Sequence, residues 1–356
     1  MKKLINCNKV CYFGHFDPEY SRNGILIKGL KENGLEVFLC NSSIKRSWKS
    51  SFELIKKLLS LKGDFDFLIV GYSDSRRDVL LAKLFNRGLV VWDAFYSLYD
   101  SWIWDRQLAS PGSLKAFCYW FLDWLNCRLS DRILLDTEEH IKYFIKEFKV
   151  DRAKFIKVLV GTDDDIFKPK EKQDKAFFTI GFWGKFIPLH GVEFIVKAAK
   201  ILENQTEIKF KLIGSGQEFS KVKQLADDLK LINIDFLPKV EYHKLPDLIS
   251  NFDVCLGIFG KTNKARRVIP NKVYEAIACC RPVITSETPA MRELFVDGQS
   301  ILFCRRCDAE DLATKILILK NNSIFSELIS NEGNKIYLKT TTPIIIVRDF
   351  LNNLKI

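Results

Sequence analysis

Short apolar runs alternate along this chain with stretches that are apolar only at every third or fourth position. The first run, over 8–14, reads as a buried strand ending at Gly14, and the polar loop HFDPEYSRN follows it. A helical period then holds from about Gly24 to Asn33, Gly34 closes it, and EVFLC makes a second strand. The order repeats as helix 52–62, strand 65–71, helix 75–86, strand 89–93, a long loop, helix 113–130, strand 132–136, helix 137–148 and strand 155–160. Strands joined through helices run parallel, because each crossover returns the chain to the same edge of the sheet. Ligands of such sheets bind beyond the carboxyl ends of the strands.

The segment GTDDDIFKPKEKQDK (161–175) breaks this alternation with charged residues and Pro169, and reads as a linker. Alternation then restarts with strand 177–184, helix 191–203, strand 208–214, helix 217–229, strand NIDFLP, helix 243–250 and strand 253–259. Residues 266–285 read as loop, short helix, tight turn and strand. Strand 300–304, helix 308–320 and two closing helices, about 323–337 and 342–354, complete the chain. The expected division is a Rossmann-like domain over 1–168, a second over 169–340, and a last helix over 341–356.

Composition sets bounds on this picture. A chain of 356 residues, 47% of them hydrophobic, buries a large core and usually divides in two. No stretch approaches the roughly 20 apolar residues of a membrane span, and the opening MKKLINCNKVCYF has no signal-peptide cleavage pattern. A cytoplasmic location is the expectation. Among ten scattered cysteines, Cys11, Cys40 and Cys255 sit in strand-like runs, as reduced buried thiols do. Cys304 and Cys307 form a lone C-x2-C pair with too few neighbouring ligands for zinc. The net charge of +11 implies an acidic partner. Its bases are spread along helices and no nucleic-acid motif accompanies them, so no nucleic-acid partner is expected. They read first as a solvated surface and next as attraction to an anionic membrane. Neither half carries G-x-G-x-x-G, which argues against a dehydrogenase.

The candidate chemistry gathers at 266–285. Pro270 suits the first turn of a helix. Val273, Ile277 and Cys280 share an apolar face directed at the core, and Lys272, Glu275 and Cys279 share the other. A helix N-terminus carrying a lysine favours phosphate oxygens, and a carboxylate one turn further accepts hydrogen bonds from sugar hydroxyls. Together they point to a nucleotide-sugar site. Gly214-Ser215-Gly216, between a strand and a helix, lets backbone approach a ligand or is a plain turn. The aromatic-rich loop 92–112 carries Asp93, Asp100 and Asp105. Asp100 is the candidate to orient or deprotonate an acceptor hydroxyl, with Asp93 read alternatively as a strand-end cap and Asp105-Arg106 as an ion pair. Trp102, Trp104, Tyr119, Trp120 and Trp124 suit sugar stacking or a bilayer surface; helical spacing favours core packing for the last three.

The stretch IPNKVYEAIACCRPVIT resembles the C-terminal signature of the GT-B glycosyltransferases of family 4, E-x7-E followed by E-A-x-A-x-G-x-P-V. Glu275 matches the second glutamate, Arg267 stands at the position of the first, and Cys280 replaces the usual glycine. Gly161, Asp163, Phe167 and Pro169 match the family's interdomain segment V-G-x-D-x-x-x-F-x-P. The resemblance implies an α/β fold of two Rossmann-like domains facing across a cleft, acceptor side first and donor side second. It also implies a C-terminal helix crossing back to the first domain, for which TPIIIVRDFLNNL is amphipathic enough. By the same resemblance Glu275 holds the donor ribose, and Arg267 occupies the catalytic position that touches the transferred sugar. Lys185 and His190 stand where a G-R…K-G loop holds the diphosphate, His190 by offering an N–H. Gly214, with Lys239 and Val240, stands where two loops flank the base. Gly14 stands where a glycine loop faces the phosphates, with Arg22 and Asn23 beside it.

The implied activity is retaining transfer of a sugar from a nucleotide-diphosphate donor to a saccharide or lipid-linked saccharide of a cell-surface polymer. No metal or cofactor is expected. Lys185, Lys272 and the helix start would stabilise the leaving diphosphate, while Asp163-Asp164-Asp165 reads as solvated linker. Peripheral contact with the inner face of an anionic membrane fits the basic charge. Two alternatives stand beside this. One is a non-catalytic GT-B scaffold binding nucleotide or membrane, favoured by Arg267. The other is a nucleotide-sugar hydrolase or epimerase, which requires a positioned base.

Overall fold

The computed structural model describes residues 8–42, 47–61, 63–73, 75–171 and 176–354. The opening residues 1–7, the end of the linker (172–175) and Lys62, read as the end of a helix, lie outside the described residues. The chain divides into two compact units, Met1–Asp163 with Thr342–Ile356, and Asp164–Thr341.

The first unit is built on six strands: β1 (Lys9–Gly14), β2 (Glu36–Asn41), β3 (Phe67–Val70), β4 (Leu89–Asp93), β5 (Arg132–Leu135) and β6 (Phe155–Lys157). They pair in the order β2-β1-β3-β4-β5-β6, all parallel. Both faces of the sheet are covered, and the strands alternate between them with a period of two. Val10 and Tyr12 enter one layer with Ile25, Leu26 and Leu30 of the helix Ser21–Glu32. Cys11 and Phe13 enter the other, with Leu54 of the helix Trp48–Ser60, Val79 of Arg77–Phe85, Cys127 of Leu114–Leu129 and Phe144 of Glu138–Phe148.

The helix Pro343–Asn353 completes the first of these layers, through Ile346, Val347 and Phe350. Gly29 makes this approach possible. A Cβ there would lie 2.2 Å from the carbonyl oxygen of Pro343 and 2.6 Å from Cγ2 of Val347. Asn33 Nδ2 also donates to the Ile344 carbonyl at 2.9 Å. The expected return of the last helix to the first unit is present.

The second unit repeats the plan with β7 (Phe178–Lys185), β8 (Ile208–Ser215), β9 (Ile234–Leu237), β10 (Val254–Leu256), β11 (Val283–Ser286) and β12 (Leu302–Cys304). Their order is β12-β11-β10-β7-β8-β9, again all parallel. Among the described residues no helix is long and apolar enough to cross a membrane.

Two local expectations need correction. The first helix starts at Ser21, ahead of Gly24, because the polar residues that open it are buried. Asn23 Oδ1 accepts from the Tyr12 hydroxyl at 2.9 Å, and its Nδ2 donates to the carbonyls of Asp17 and Tyr72. Within the loop after β4, Asp100–Asp105 forms a π-helical turn.

Candidate functional site

The site is assembled at the carboxyl ends of β7 and β8 and on the helix Asn271–Ala278. Gly184 and Gly214 are paired across the two strands, with φ of +135° and +134°. Side chains are excluded here by contact as well as conformation: a Cβ on Gly214 would lie 2.0 Å from the Gly184 carbonyl oxygen. Beyond this pair Lys185, Ser215 and Gly216 are exposed. The glycine turn also leaves room on its other side. A Cβ on Gly184 would meet Lys272 Nζ and His190 Cε1, each at 3.4 Å.

The helix Asn271–Ala278 is buried on every side, which corrects the two-faced reading. Lys272 and Glu275 are each only 5% exposed, as enclosed as the apolar residues around them. Cys279 is the cysteine in the core, and Cys280 sits at the helix end, half-buried, with φ of +54°. Cys280 N donates to the Ile277 carbonyl and Arg281 N to that of Ala276. These are the two bonds of a left-handed helix closure, the conformation for which glycine is favoured at that position.

Lys272 Nζ lies 4.0 Å from the centroid of the Phe182 ring and makes no hydrogen bond among the described residues. Burial pushes its pKa down to about 7, against the opposing charge of Glu275. Glu275 Oε2 accepts a hydrogen bond from Trp183 Nε1 at 2.5 Å. Burial pushes the carboxyl up to about 7, and the Trp183 bond and the Lys272 charge act the other way. Phe182 and Trp183 are consecutive residues of β7, so one strand supplies both the cation's aromatic neighbour and the carboxylate's donor.

His190 follows in a short 3-10 turn. Burial holds its pKa well below the usual imidazole value, and the charges of Lys272, Lys264 and Lys185 add to the effect. Its Nδ1 faces the Lys185 carbonyl. A carbonyl oxygen only accepts, so Nδ1 carries the proton and Nε2 presents a lone pair. The expectation that His190 offers an N–H is therefore corrected: neutral His190 offers an acceptor. What remains is a local excess of positive charge around a buried ammonium, which suits an anion.

The remaining candidates are distributed as follows. Arg267 is half-buried just after the 3-10 turn Lys264–Arg266 that precedes the helix, and Lys239 and Val240 lie beyond the carboxyl end of β9. Gly14 and Asp100 belong to the first unit. Gly14, with φ of +125°, abuts the Asp78 carboxylate, where a Cβ would lie 2.8 Å from Oδ2. Asp100 is buried at the start of the π-helical turn, its N–H donating to Ser97 Oγ at 3.0 Å. Arg22 is not a phosphate ligand. It is fully buried, pairs with Asp93 at 3.0 Å, and donates to the carbonyls of Val158 and Leu159. This also removes Asp93 as a base. Trp120 and Trp124 pack on the core, as their spacing predicts, while Trp104 is exposed.

Several residues escaped sequence reasoning. Trp183 and Lys264 join the second-unit site only through folding. In the first unit, His15 lies between Asp78 Oδ1, at 2.7 Å from Nδ1, and Ser50 Oγ, at 2.9 Å from Nε2. Arg76 pairs with Asp123, whose other oxygen accepts from Ser97 and from Tyr99 N, fixing the start of the loop after β4. The sole sequence signal was a histidine directly after Gly14.

Residues 163–336 match the family described as glycosyl transferases group 1. The second unit is a glycosyltransferase group 1 domain. Among curated proteins, the chain is 25% identical over 213 residues to the uncharacterized glycosyltransferase MJ1178 of Methanocaldococcus jannaschii, covering 58% of this chain and 54% of that protein. It is 25% identical over 183 residues to MJ1069 of the same organism, covering 51% and 44%. The matches thus span about half the length of these glycosyltransferase relatives. Among solved structures, the fold resembles Anabaena Alr3699/HepE in complex with UDP-glucose, with a TM-score of 0.72, 14% identity, and 97% and 99% of the two chains covered. It resembles equally the sucrose-phosphate synthase (tll1590) from Thermosynechococcus elongatus, with a TM-score of 0.72, 14% identity, and coverage of 96% and 97%. The two parallel six-stranded sheets, with the last helix returned to the first unit, are the GT-B fold of these glycosyltransferases.

Proposed function

We propose that this protein is a retaining glycosyltransferase of family 4, moving a sugar from a nucleotide-diphosphate donor to a saccharide or lipid-linked saccharide in cell-surface polymer synthesis. The observation that carries the reading is Lys272: a buried amine without a hydrogen-bond partner among the described residues, beside a glycine turn and two further lysines. Burying such a group is unfavourable unless something anionic completes it. A diphosphate does so, and its negative charge grows as it leaves, so the lysines stabilise the transition state more than the ground state. Glu275, steadied by Trp183, accepts from ribose hydroxyls through its remaining acceptor capacity. His190 Nε2 accepts from a donor hydroxyl. Gly14, Gly214, Lys239 and Val240 complete the donor contacts, Arg267 serves at the sugar position, and Asp100 orients the acceptor.

The reading needs no metal, since the lysines supply the positive charge. The UDP and UDP-glucose complexes of HepE favour a uridine donor. A cytoplasmic protein touching the inner membrane face accords with a lipid-linked acceptor. Thermal unfolding against a panel of nucleoside diphosphates and UDP-glucose tests the donor site, because a ligand of the folded state raises the midpoint. UDP and UDP-glucose should raise it in the wild type, and in neither Lys272→Met nor Glu275→Ala. No shift with any nucleotide in a folded sample sinks the site and favours the scaffold reading. Inverted anomeric configuration in the product would overturn the retaining assignment.

A further inference from the structure

Three neighbouring helices of the first unit, Trp48–Ser60, Arg77–Phe85 and Leu114–Leu129, are apolar on the side that faces water. Their inner faces already feed the core through Leu54, Val79 and Cys127. Yet Trp48 and Phe52, Leu80 and Leu84, and Phe117 and Phe121 are all exposed, Trp48 by 75% and Phe52 and Leu84 by 66% each. Each pair is spaced i, i+4, so each helix presents one continuous outer stripe. A surface helix ordinarily keeps this face polar. The rings of Phe117 and Phe121 stack on one another with centroids 6.2 Å apart.

Charge identifies what such a face would meet. Exposed bases flank the stripes on all three helices: Lys49 and Lys56, Arg77 and Lys83, Lys115 and Arg128. Lys83 is paired with Asp131. The acids of these helices are withdrawn. Asp78 and Asp123 are buried, and half-buried Glu53 is held by Lys57 at 2.7 Å. We propose that this three-helix face docks on an anionic lipid bilayer. Aromatic and leucine side chains enter the interface, and lysine and arginine stems lie along the apolar surface with their charges at the lipid phosphates. A second copy of the chain fits less well, since a two-fold contact through this face would set the bases of one protomer against those of the other. The protein would lie on the membrane without crossing it. This inference stands on the first unit alone and is independent of the donor reading.

Co-sedimentation of the full chain with vesicles tests it, using phosphatidylcholine alone or mixed with phosphatidylglycerol. The protein should pellet with the anionic vesicles, less so as salt rises, and not with neutral ones. At about 1 kcal/mol for each basic residue, K49E/K56E/K115E should partition roughly 100-fold more weakly or worse. F52S/F117S/F121S should also lose binding. Because all six positions are at the surface, circular dichroism and the unfolding midpoint should remain those of the wild type, and the nucleotide shift should be unchanged. Failure to pellet, equal binding to both vesicle types, or wild-type binding by either variant would overturn the proposal. Concentration-dependent dimerisation abolished by F52S/F117S/F121S would assign the face to a second copy.

Discussion

The two sheets end in different electrostatic states, although their strand plans are the same. In the first unit, among the described residues, the buried charges at the strand ends have partners: Arg22 pairs with Asp93, Arg76 pairs with Asp123, and the Asp78 carboxylate is hydrogen-bonded to His15. In the second, Lys272 is buried over a ring without a hydrogen-bond partner among the described residues, with two more lysines acting on the same region. Paired buried charge fixes a conformation but leaves nothing for a ligand. Unpaired buried charge lowers stability in the empty protein and releases that cost when an anion arrives. Buried charge thus serves architecture in one unit, and in the other it stands open to the donor diphosphate proposed above.

The largest test of this contrast removes one cation from each unit. Arg22→Met leaves the Asp93 carboxylate buried alone and should cost about 3–5 kcal/mol in chemical denaturation. Lys272→Met should leave stability unchanged or raise it by about 1–2 kcal/mol, because a desolvated cation is replaced by an apolar chain. Equal losses in the two variants would end the comparison.

A second test uses pH. Between the ordinary carboxyl value of 4.5 and about 7, folded Glu275 holds a proton that the unfolded chain has released, so its contribution to stability falls as pH rises. Between about 7 and the ordinary ammonium value of 10.5, the unfolded chain holds a proton on Lys272 that the folded state lacks, and stability recovers. The wild type should therefore show a minimum near pH 7, a few kcal/mol deep at about 1.4 kcal/mol for each pKa unit, when referenced to Lys272→Met/Glu275→Gln. A flat difference curve would contradict it. The smallest effect is that of Trp183→Phe, which removes the donor to Glu275. It should cost about 1 kcal/mol by denaturation and weaken nucleotide binding; no change in either would remove Trp183 from the site.

Much of the fold was legible because it depends on local period. Twelve strands and their parallel pairing follow from alternating apolar runs and helical stripes, while the return of the last helix was implied by the family resemblance and only its amphipathic pattern could be read directly. Lys272 and Glu275 were legible for the same reason, being one turn apart on a short helix behind Pro270. What escaped depends on distant partners. Arg22 and Asp93 meet across 71 positions, and an arginine at a helix start looks the same whether it awaits phosphate or is already paired. The His190 tautomer is decided by a carbonyl five residues back, which no composition reveals. The outer stripes on the three helices were hidden because an apolar residue in a helical pattern is assigned to the core by default.

The contact between Gly29 and Pro343 also has a bearing on the order of events at the ribosome. Asn33 and Ile344, which bond at this seam, are separated by 311 positions, with the whole second unit made between them. The first sheet therefore emerges early but lacks part of one covering layer until synthesis has passed both units. During that interval Ile25, Leu26 and Leu30 have no Val347 or Phe350 to cover them. A nascent chain in this state exposes an apolar strip of the kind that chaperones bind and that drives aggregation. The unit translated first is therefore completed only by a helix that is made after the second unit.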